Sequence, residues 1–118
     1  MKYQTLSVRI HVKLEDIKSL LCSAANGSKY WADSEQLGYE SVVEKALKSK
    51  KEGALVSVKD FEDEPIVYLL NLEKIKRGLT VMAKKERKHF CDLVNEDADE
   101  VTADVFLQCC LFGEVKYS

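Results

Sequence analysis

The stretch VTADVFLQCCLFG, from Val101 to Gly113, constrains this chain more than any other. Val101, Val105, Cys109 and Phe112 recur on one stripe at helical spacing, and Phe106 and Cys110 widen it. The spacing predicts a helix packed deep in a core and stopped by Gly113, the residue type best suited to a left-handed cap. The acidic NEDADE run just ahead suits the positive end of such a helix. Cys109 and Cys110 invite a chemical reading, but adjacent Cα atoms lie only about 3.8 Å apart, well below the usual bridging distance. The pair is therefore read as packing. After the glycine, Glu114-Val115-Lys116-Tyr117 alternates like a final edge strand.

A helix of this kind needs partners, and the rest of the chain supplies them. Leu6, Val8, Ile10 and Val12 alternate with Ser7, Arg9 and His11, which predicts a half-solvated strand over residues 5–12 with His11 on its wet face. Leu14 to Asn26 reads as a helix on the stripe Ile17, Leu20, Leu21, Ala24 and Ala25, with Cys22 beside it as a small packing residue. Tyr30 and Trp31 open a second strand or line a loop, and Ser41 to Lys51 forms a short helix. The runs Ala54–Val58 and Ile66–Leu70 predict a hairpin across the acidic FEDEP turn. Its second strand is apolar on both faces and is placed inside the sheet. From an Asn71 N-cap, a long helix then runs through Ile75, Leu79 and Met82 towards Phe90. Gly78 in its middle costs about 1 kcal/mol against Ala and implies close packing there.

These elements define an α+β domain over residues 1–118. An antiparallel sheet of three to five strands is covered on one face by the first, third and last of three to four helices. With 46% apolar and 32% charged residues, the chain has an ordinary globular composition. No run approaches the roughly 18 apolar residues of a membrane span. The N-terminal residues lack the apolar core of a secretion signal, so the expected location is the cytoplasm. In that reducing compartment Cys22, Cys91, Cys109 and Cys110 are expected to be free thiols.

No catalytic motif emerges. There is no nucleophile elbow, glycine-rich phosphate loop or His-Glu-x-x-His, and two histidines support little acid–base chemistry. His89, Cys91, Cys109 and Cys110 lack zinc-ligand spacing. Asn95, Asp97 and Asp99 imitate the start of a calcium loop, but Glu100 replaces its glycine and Phe106 its closing glutamate. No metal or cofactor is expected, and an enzymatic role is disfavoured.

Binding residues are better supplied. Tyr30, Trp31 and Tyr39 belong to types enriched in recognition surfaces, although a lone tryptophan is often a lid on the core. The cluster Lys84, Lys85, Arg87, Lys88 and His89 closes the long helix, where cations favour the negative end. With Lys76 and Arg77 it could form a phosphate-binding side. The net charge of −2 argues against nucleic-acid binding through bulk electrostatics.

Tyr30-Trp31-Ala32, together with Asp104, Gln108, Phe112, Gly113, Glu114 and Tyr117, resembles a pattern in small uncharacterised proteins encoded by bacteriophages and prophages. The resemblance implies an accessory role, with binding of a host protein as the leading function. Alternatives are a small nucleotide-type ligand, with Trp31 stacking and Arg77 or Lys84 on phosphate, and weak nucleic-acid binding through the basic helix end. An exposed strand edge, such as the C-terminal one, closed by a second copy would make the protein a homodimer.

Overall fold

A computed structural model describes residues 4, 9–59 and 64–118. Among them lie five α-helices and one three-stranded antiparallel sheet, so the α+β class holds with more helices than expected. The helices are α1 (Leu14–Gly27), α2 (Glu40–Lys48), α3 (Leu72–Lys85), α4 (Arg87–Val94) and α5 (Glu100–Phe112). The strands are β1 (Ala32–Asp33), β2 (Ala54–Val58) and β3 (Ile66–Leu70), ordered β1-β2-β3. A 3₁₀ turn over Glu35–Gly38 joins β1 to α2.

α5 is the axis of the fold. Every residue from Thr102 to Leu111 is buried, including Asp104 and Gln108. A helix apolar around nearly its whole circumference must be enclosed, and α1 and α3 enclose this one. Its ends are fixed locally. The Asp99 carboxylate accepts from the Thr102 N–H at 2.9 Å, and Gly113 closes the helix at φ 71°. The stripe predicted from Val101 is shifted at its first member, which is exposed at the rim.

Gly78 is where α3 meets α5. A Cβ there would lie 2.2 Å from Cys110 Sγ and 2.9 Å from Cys110 Cα. Cys110 is packed against the neighbouring helix, and Cys109 beside it is equally buried. Burial pushes the Cys109 thiol up to about 11 and raises that of Cys110 as well. Neither is a ready nucleophile, because the thiolate is the reactive form.

Several expectations are corrected. The predicted strand over 5–12 falls partly on residues 5–8, outside the described residues, and residues 9–13 are not strand. The long helix after Asn71 is two helices, broken at Glu86 with φ −128° and ψ 58°. Its N-cap is as expected, with Asn71 Oδ1 accepting from the Lys74 N–H at 3.1 Å. The short helix ends at Lys48, before the lysine run is complete. Cys22 is exposed, not packed. The helices pack mainly on one another, with α5 held between α1 and α3, instead of lying together across one sheet face. β3 is an edge of the sheet among the described residues, not an interior strand, and Ile66 and Val67 are each 55% exposed.

Candidate functional site

The C-terminal segment after Gly113 is not a strand, and the reason is a side chain. Gln108 Oε1 accepts the backbone N–H groups of Lys116 at 2.7 Å and Tyr117 at 2.8 Å. Its Nε2 donates to the Tyr117 carbonyl at 3.0 Å. One buried amide thus supplies the donor and acceptors that a neighbouring strand would have offered.

Four residues away, one turn along α5, Asp104 gathers the other end of the chain. Its Oδ1 accepts from Trp31 Nε1 at 2.6 Å and Ser28 Oγ at 2.9 Å, and Gln108 Nε2 lies 3.2 Å away. The Tyr30 hydroxyl donates to Oδ2. The carboxylate is therefore saturated as an acceptor, and among the described residues no buried side-chain N or O lacks a partner. Burial and the Asp104 carboxylate push the Tyr30 phenol up to about 12, so it stays neutral near pH 7.

Trp31 is 2% exposed. Its ring stacks on Tyr117 at 5.3 Å and 7° and tilts against Phe112 at 5.4 Å. It is thus a lid over the core, held by its N–H, and has no free face on which a base could stack. Of the other predicted residues, Tyr30 is half exposed and joins this cluster. Tyr39 stands apart, hydrogen-bonded to Glu35 Oε1 at 2.9 Å. The Arg77 guanidinium donates to the Cys110 carbonyl, and Lys85 Nζ reaches the Gly113 carbonyl at 3.3 Å. These two cations serve the carbonyl end of α5. Lys84 is exposed on α3, and the break at Glu86 divides the basic cluster.

Beside the lid lies a cleft of about 600 Å³ between the C-terminal segment and the sheet. Tyr30, Tyr68, Phe112 and Tyr117 give it aromatic walls, Ile66 an apolar lip, and Lys59 and Lys116 its positive charge. Tyr68 meets Phe112 edge-on at 5.4 Å, and Lys116 Nζ sits 4.9 Å from the Phe112 ring centre. Tyr68, Lys59 and Lys116 are the residues that sequence reasoning missed. Tyr68 stood in an apolar strand, and the two lysines looked like ordinary surface charge.

The geometry defines a compact α+β protein with an aromatic and cationic cleft. Among the described residues no group of three or more His, Cys, Asp or Glu could hold a metal ion, and no helix is long and apolar enough to cross a membrane. No protein-family model, curated protein or solved structure matches the chain.

Proposed function

We propose that this is a non-enzymatic accessory protein of phage or prophage type that acts by binding a host protein, with the aromatic cleft as its recognition surface. The observation that carries this reading is the lining of the cleft. Half-exposed Tyr30 and exposed Ile66 stand at its mouth, over walls already locked by Trp31, Asp104 and Gln108. Preformed aromatic surface with a cationic rim is what protein hot spots use, and rigidity lowers the entropy lost on docking. The residues named in the phage resemblance, Tyr30, Trp31, Asp104, Gln108, Phe112 and Tyr117, cluster around this wall.

The second reading, a nucleotide-type ligand in the same cleft, draws on Lys59 and Lys116, which line it together with Tyr68. It does not use Trp31 for stacking. The experiment compares proteins captured from a bacterial host by the wild type and by Ile66→Asp, with circular dichroism confirming the fold of each. A partner captured by the wild type and lost from the variant supports the proposal. An unchanged set of captured proteins overturns it. If calorimetry instead shows that the wild type binds a nucleoside triphosphate and the Lys116→Glu variant does not, the second reading takes its place.

A further inference from the structure

Among the described residues, the outer edge of β3 carries a hydrogen-bond ladder with no partner, and its pattern fits a second copy of itself. The Lys59 N–H donates to the Trp31 carbonyl at 2.8 Å, continuing the register in which Val58 faces Ala32. The Leu55 N–H points the same way, to Gln36 Oε1 at 2.8 Å. Backbone groups alternate sides along a strand. Residues 55, 57 and 59 therefore face β1, and residues 54, 56 and 58 face β3. Their partners Leu70, Tyr68 and Ile66 are then the residues of β3 that bond inward. The N–H and C=O groups of Val67 and Leu69 point out of the open edge, and no described residue bonds to them.

We propose that two copies join edge to edge through β3, antiparallel, with Tyr68 of each copy on the two-fold axis. In this register Val67 faces Leu69 of the other copy, and all four outward groups of each strand are satisfied in four bonds. Shifting the axis to Val67 sets Leu69 opposite Pro65, which has no N–H. Shifting it to Leu69 sets Val67 opposite Asn71, whose carbonyl already accepts from the Ile75 N–H at 3.0 Å. β3 has no charged residue, the usual guard on an exposed edge, so no like charges oppose the pairing. The sheet becomes six-stranded. On its outer face exposed Leu55 and Val67 and half-buried Leu69 of one copy adjoin those of the other. The inference does not depend on the function proposed above.

The ladder is five residues long, and small interfaces, below about 1,200 Å², are commonly weak. The dimer is therefore expected to be concentration-dependent. Sedimentation equilibrium is expected to show the mass rising with concentration towards twice the 13.4 kDa of the chain. The register is then tested with Val67→Cys and Leu69→Cys proteins in a background with exposed Cys22 and Cys91 changed to serine. Directly opposed residues in a hydrogen-bonded pair lie about 5.5 Å apart, within disulfide reach. An equal mixture of the two variants should cross-link on mild oxidation several-fold more than either alone. A monomer at every concentration overturns the proposal. So does a dimer whose cross-linking is the same in the single and mixed samples, because it uses another surface.

Discussion

Removing the Asp104 carboxylate tests whether one side chain organises the site. The structure gives it two wholly enclosed donors, Ser28 Oγ and Trp31 Nε1, besides the half-exposed Tyr30 hydroxyl. In Asp104→Ala those two donors face a void that no described side chain is placed to fill. A buried donor without an acceptor costs about 1–3 kcal/mol, so the pair amounts to about 2–6 kcal/mol. The Tyr30 hydroxyl turns to water and adds little. Asp104→Asn keeps one acceptor oxygen for Trp31 and Ser28 and loses mainly the charge assistance, at about 1–2 kcal/mol. Native domains hold only about 5–15 kcal/mol in all, so the alanine variant should lose a large fraction of its stability and the asparagine variant a small one. Urea unfolding, followed by both Trp31 fluorescence and far-ultraviolet circular dichroism, measures the two differences. If the alanine variant lies within about 0.5 kcal/mol of wild type, the range for a neutral surface change, the carboxylate does not hold the site together.

Gly78→Ala gains about 1 kcal/mol of helix propensity, yet its methyl group would overlap Cys110, so a net loss of about 1–2 kcal/mol is expected from thermal or urea unfolding. Exposed Cys22 and Cys91 should react promptly with a thiol reagent, whereas Cys109 and Cys110 should react only at the rate of unfolding, which a stopped-flow trace with and without urea will separate. The Tyr30 phenol is held protonated in the fold, with its ordinary value near 10 raised to about 12. Its contribution to stability is therefore intact below about pH 10 and lost as pH rises towards 12, and Tyr30→Phe should flatten that alkaline decline.

What the sequence disclosed, it disclosed through period and punctuation. α1, the hairpin strands and the start of α3 follow from apolar spacing and the Asn71 cap, and α5 from its stripe and Gly113. Gly78 even signalled a close approach, though not that Cys110 was its partner. The misses have physical causes. Apolarity on both faces placed β3 inside the sheet, but such a strand can equally be an edge with a bare outer face. The break at Glu86 leaves no signal, because KKERKH continues the helical pattern through it. Alternation in the C-terminal segment resembled a strand because its backbone is bonded as one would be, only by an amide side chain. The candidate site was half legible. Asp104 and Gln108 could be seen to share a helix face, but Ser28 and Trp31 reach Asp104 across more than seventy residues of sequence, which no local pattern records.

The enclosed position of α5 also bears on the order of events during synthesis. The surfaces of α1 and α3 that it covers are made long before it, and they have only each other and the sheet to meet until residue 112 has left the ribosome. Most of the core thus waits for a segment made after both of its partners, and α1 and α3 are expected to bury their facing surfaces only once α5 has been synthesised. Until then, its apolar helices are the surfaces that a chaperone would hold.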